Sequence, residues 1–159
     1  MFRATIALAC AALLSASTAV LAADAPATAK AYIKAADGAL VGVATFTPGR
    51  DGVLIHIEVS GLTPGWHGLH LHAKGDCSGV KFAGAGSHIM APMMAGMDMA
   101  TPAHGLLSAN GPEPGDLPNL FVGADGKGGA EFYTRRVALN AGGAAPALLD
   151  ADGSSLVIH

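Results

Sequence analysis

The sequence predicts an all-β domain, a sandwich or partly closed barrel, and two observations carry that prediction. Short apolar runs, several alternating with a period of two, recur at close spacing between Gly, Pro and Asp turns, and the body of the chain holds no helical periodicity of useful length. A third observation concerns what such a domain would carry: His70 and His72 stand two residues apart on one of the alternating runs. Successive strand side chains point to opposite faces, so these two imidazoles share a face while Leu69 and Leu71 point to the apolar interior.

The N-terminus reads as a secretory signal peptide. Arg3 is followed by apolar and small residues from Ala4 to Ala22, ending in Val20-Leu21-Ala22. Cleavage there leaves 23–159, enough for one domain with a core of its own. Loss of Arg3 leaves eight Lys/Arg against twelve Asp/Glu, a formal charge of −4 with no basic cluster, which speaks against a nucleic-acid partner. The processed chain is expected to be exported to the periplasm and to have no membrane association. Export implies an oxidising compartment, yet Cys10 leaves with the signal and Cys77 stands alone. An odd cysteine is a free thiol, an intermolecular bridge or half of a pair whose partner is missing.

Taken in order, 23–30 is an Ala/Thr/Pro tail, and strands are predicted at 31–34, 39–46 and 53–59, broken by Asp37-Gly38 and by Pro48 to Gly52. In the third, Val53, Ile55, Ile57 and Val59 share one face and Leu54, His56 and Glu58 the other, so His56 reads as an outward residue rather than a ligand. The histidine-bearing run covers 65–77. From 75 to 118 Gly, Pro, Ala and Met dominate, a loop of a length that is uncommon in a compact domain without a function. Runs 119–122 and 130–139 form a hairpin across the glycine-rich 123–129, and a last strand, 154–159, stops on His159.

The long loop adds His88, His104, Glu113 and Asp116 to His70, His72 and His159. Imidazole suits zinc, copper, iron and nickel, and a bound metal would offset the conformational entropy of ordering such a loop. The alternative is a solvated loop with incidental histidines.

His67-Gly-Leu-His70-Leu-His72 followed by Gly75-Asp76-Cys77, then Ala83-Gly84 leading to His88, His104-Gly105, Gly115-Asp116-Leu117-Pro118-Asn119-Leu120, and Leu149-Asp150-Ala151-Asp152-Gly153 before Leu156-Val157-Ile158-His159, resemble the bacterial periplasmic copper/zinc superoxide dismutases from about Tyr32 to the end. The resemblance implies a Greek-key β-barrel or sandwich with a long metal-binding loop. It implies copper on His70, His72, His88 and His159, and zinc on His88, His104 and Asp116, with His88 bridging the two. It places His67 behind the copper ligands, bound to them by hydrogen bonds rather than to metal. The implied activity is dismutation of superoxide to oxygen and hydrogen peroxide, with His88 as the catalytic proton carrier.

Three features depart from the family pattern. Glu113 stands where the family supplies a third zinc histidine; a carboxylate can ligate zinc, at the cost of an added negative charge. The interval from His88 to His104 is longer than usual and holds Met90, Met93, Met94, Met97 and Met99. Their thioethers either pack as flexible apolar filler or take up Cu(I), as in copper-trafficking segments, in which case a copper donor protein is an expected partner. The family also continues past the position of His159 with an arginine, a partner for Cys77 and a final strand, so the sequence is expected to be a fragment of a longer product or a shortened homologue. An alternative function is therefore a non-catalytic copper-binding or copper-storage protein on the same barrel.

Overall fold

A computed structural model describes residues 28–91, 104–109 and 111–159 of this chain. Strands β1 (Ala29–Lys34), β2 (Leu40–Pro48) and β3 (Val53–Val59) form an antiparallel meander, as the alternating runs and their Gly/Asp breaks require. The chain then crosses to the far edge of the same sheet as β4 (Gly65–His67), enters β5 (Leu69–His72), and returns through β6 (Leu120–Val122) and β7 (Gly128–Thr134). The sheet order is β1-β2-β3-β7-β6-β4, so β7 pairs with β3 and leaves β4 at the opposite edge, a Greek-key arrangement. The parallel pair β8 (Ala138–Asn140) and β9 (Ala147–Leu149) and the antiparallel pair β5 and β10 (Ser155–Ile158) complete the described strands.

The inner face of β3 is Val53, Ile55, Ile57 and Val59, all buried, and packs with Ala44 and Phe46 against Leu69, Leu71, Ile89, Leu117, Val137, Leu139 and Leu148. His56 faces outward as expected, 3.0 Å from Glu131. Among the described residues the sheets are not joined into one closed ladder, so the architecture is a sandwich rather than a closed barrel.

Local alternation misled in two places. The 65–72 run is not one strand: it changes sheet at Gly68, β4 pairing with β6 and β5 with β10. Alternation reports which face a side chain takes and carries nothing about its pairing partner. Likewise 130–139 divides at Arg135-Arg136, because β7 follows β3 to Thr134 while β8 turns away to pair with β9. Within the long loop, Val80–Ala85 forms a short 3-10 segment whose Lys81 and Phe82 adopt left-handed φ of 55° and 59°. No described helix is long and apolar enough to cross a membrane.

Candidate metal centre

Strand β5 brings His70 and His72 to the site, and β10 brings His159, because Val157 stands opposite His70 in their ladder and the His159 N–H donates to Gly68 O at 2.9 Å. The long loop is stitched to β5 by three main-chain bonds: Leu71 N–H to Gly115 O, Gly115 N–H to Ile89 O, and Ile89 N–H to Leu71 O, each 2.9 Å. His88 is thereby bridged to His72, and Asp116 to His70. Gly115 has to be glycine here, since a Cβ would press on Leu71 O and lie 2.8 Å from Ile89 N.

Ligand-type atoms of His70, His88, His104 and Asp116 lie within 4.8 Å of one another, as do those of His72, His88 and His159. His88 is common to both groups. His70 stands between them: its Nε2 is 3.8 Å from Asp116 Oδ1 and its ring stacks on His88 at 4.1 Å between centroids. The resemblance assigns His70 to the copper side, whereas the geometry groups its ligand atom with His88, His104 and Asp116, its ring centroid lying 4.9 Å from that of His159. Glu113 falls outside these two groups but is buried, with Oε2 3.1 Å from His88 Nδ1 and 3.6 Å from His104 Nδ1. His104 Nδ1 is 2.9 Å from Asp116 Oδ1.

The residues fit metal ions. His72 Nδ1 donates to Gly86 O at 2.9 Å, which leaves Nε2 buried with no hydrogen-bond partner among the described residues. His70 Nδ1 is orphaned in the same way. Asp116 Oδ2 accepts from the N–H groups of Gly105 (2.8 Å) and Glu113 (2.9 Å), while Oδ1 makes no aligned hydrogen bond despite its closeness to His104. Buried polar atoms are seldom left without partners, and unused lone pairs grouped with other ligand-type atoms are what a metal can take up. The Glu113–His88, Glu113–His104 and His104–Asp116 distances scatter about the edge of roughly 3.3 Å expected for a tetrahedron of ligands at about 2.0 Å from zinc.

Burial, with the charge of neighbouring imidazoles, favours the ligating, neutral form of His70, His72 and His159. Burial, reinforced by His88, His159 and His104 and opposed by Asp116, pushes His70 down from 6.5 to about 4. His72 is lowered by burial and His88 against the opposing hydrogen bond to Gly86, and His159 by burial and then His72, His88 and His104. His67 binds no other imidazole: its Nδ1 is 2.9 Å from His159 O and its Nε2 2.8 Å from Thr63 O, so it pins the main chain of His159. Cys77 is exposed and unpaired among the described residues, and Met93, Met94, Met97 and Met99 lie outside them. The contact that sequence reasoning missed is Arg136, whose Nη2 donates to Asp116 O at 2.8 Å; nothing in the local pattern separates it from its neighbour Arg135.

The family model for copper/zinc superoxide dismutase matches residues 40–159. The chain belongs to the copper/zinc superoxide dismutase family. It is 48% identical over 132 residues to a Cu-Zn superoxide dismutase of Caulobacter vibrioides, covering 83% of this chain and 72% of that protein. To a Cu-Zn superoxide dismutase of Deinococcus radiodurans it is 35% identical over 134 residues, covering 77% of this chain and 65% of that protein. The crystal structure of an SOD-like protein from Bacillus subtilis superposes with a TM-score of 0.70 at 32% identity, covering 82% of each chain. Copper and zinc are the metals of this family, and the two histidine clusters are groups able to hold them.

Proposed function

We propose that this chain dismutes superoxide to oxygen and hydrogen peroxide at a copper ion held by His70, His72, His88 and His159, beside a zinc ion held by His88, His104, Asp116 and Glu113. The observation that carries the reading is the pair of buried nitrogens, His70 Nδ1 and His72 Nε2, without hydrogen-bond partners among the described residues, on two imidazoles whose burial favours the neutral form. Bound copper would supply the one-electron chemistry, accepting an electron from one superoxide and passing it with two protons to a second. The residues around it position and deliver. Gly86 O selects the His72 tautomer that leaves Nε2 open, and His67 holds the His159 main chain at the rim. Glu113 lies against the Nδ1 side of His88, which leaves the other ring nitrogen to take up and release a proton. The run from Ala4 to Ala22 supports export to the periplasm as a signal-processed domain over 23–159.

The test is metal stoichiometry and the visible copper spectrum of the processed chain. One copper per chain is expected, lost on His72→Ala; an unchanged spectrum and stoichiometry in that variant would overturn the copper assignment. The methionines between His88 and His104 favour the rival reading, copper storage. A storage protein would bind further Cu(I) through them and show no superoxide turnover per bound copper.

A further inference from the structure

Arg135 and Arg136 are adjacent at the corner between β7 and β8, and they do opposite things. Arg135 lies on the surface, its Nε 3.1 Å from Asp51. Arg136 turns inward: Nη2 donates to Asp116 O, and Nε is buried with no hydrogen-bond partner among the described residues. No carboxylate pairs with Arg136 among the described residues. A partly buried guanidinium without a counter-ion is costly, and a neutral side chain could close the same corner without that cost.

Its surroundings supply a reason. Among the described residues Asp116 makes four hydrogen bonds of its own, and three are local to the loop: Oδ2 accepts from Gly105 and Glu113, and its N–H donates to Glu113 O at 3.1 Å. The fourth, from Arg136, is the one that ties Asp116 itself to the sheet corner. The same loop holds Glu113, so two buried carboxylates stand in this set, and Arg136 places a positive charge one peptide unit behind the first of them.

We propose that Arg136 is a positioning residue for the second metal set, fixing the main chain of Asp116 so that Oδ1 faces the ion and offsetting the charge of the paired carboxylates Asp116 and Glu113. The inference rests on the reading that these carboxylates hold the second metal. Removing partners of this kind costs about 10–100-fold in metal affinity.

The experiment uses the full chain, Co(II) as a spectroscopic probe of the second set, and a separate copper titration. Arg136→Gln is expected to weaken Co(II) binding by about 10-fold or more and to shift the visible band of what remains bound, with copper affinity unchanged. Arg136→Lys, which keeps the charge and loses the fork, should recover part of the affinity and carries the test if the glutamine variant fails to fold. Wild-type Co(II) affinity in these variants would overturn the proposal. So would equal weakening of both metals in step with a lower melting temperature, the sign of a mere strut. Asp116→Asn separates the two levels: if it retains Co(II), the reading of the second site itself has failed.

Discussion

Gly115→Ala should loosen both halves of the site at once, because the residue lies where three main-chain segments meet. Its Cβ would press on Leu71 O and Ile89 N, both backbone atoms that cannot swing aside as a side-chain tip would. Relief requires moving the loop off β5, which strains the Leu71–Gly115, Gly115–Ile89 and Ile89–Leu71 bonds together. Each such bond is worth about 0.5–1.5 kcal/mol net, and overpacking of a tight site costs about 1–3 kcal/mol. With partial relaxation the expected loss is about 2 kcal/mol, which for a domain of this size lowers the melting temperature by roughly 6–10 °C. Because His72 is bridged to His88 and His70 to Asp116 across the same junction, affinity for both metals should fall with it. Calorimetry of the metal-free chain and separate copper and Co(II) titrations measure the two effects. Gly129→Ala is the control, since a Cβ there meets only Ile57 O at an ordinary 3.6 Å. A Gly115→Ala chain that melts with wild type and keeps both affinities would refute the claim that this junction sets the site.

Acid should destabilise the metal-free fold through the three lowered histidines. The unfolded chain binds more protons than the native one below the ordinary value of 6.5, so stability present above it is lost as pH falls toward about 4, where His70 titrates in the native state. Denaturant midpoints measured across that window should drop on acidification, and a flat profile would contradict the assigned burial. Cys77 is exposed, so in the native processed chain it should react with a thiol reagent without prior reduction. Complete protection together with a monomer on a non-reducing gel would count against that.

The strands were legible because burial of one sheet face imposes a period of two, and the inward set of β3 is the one that alternation names. The clustered side chains were legible because metal chemistry draws on few side-chain types, so His70 and His72 stand out on one alternating run, and His88, His104 and Asp116 in a loop otherwise made mostly of small and apolar residues. Pairing was not legible. The sheet change at Gly68 depends on what β6 and β10 offer, and those strands lie far along the chain from the run whose alternation they interrupt. The same change sets His67 apart from the strand that carries His70 and His72, yet returns it to the site through the main-chain oxygen of His159.

Glu113 shows most clearly why donor identity and donor role come apart. In sequence it is a carboxylate where a neutral ring is expected, and its added charge changes the electrostatics of the site without showing whether a second ion is held. In the structure it is buried, placed against both His88 and His104, and its own N–H supports Asp116 Oδ2. A carboxylate removed from water in this way needs positive charge nearby, and a divalent ion between two such groups would meet that need. On the proposed assignment the substitution would tie the loop more closely to its metal: a bound ion would compensate Glu113 and Asp116, and without it two buried carboxylates would share the His104 Nδ1 side with, among the described residues, only Arg136 behind them. The order of this loop should then depend on the second metal more strongly than it would with histidine at position 113.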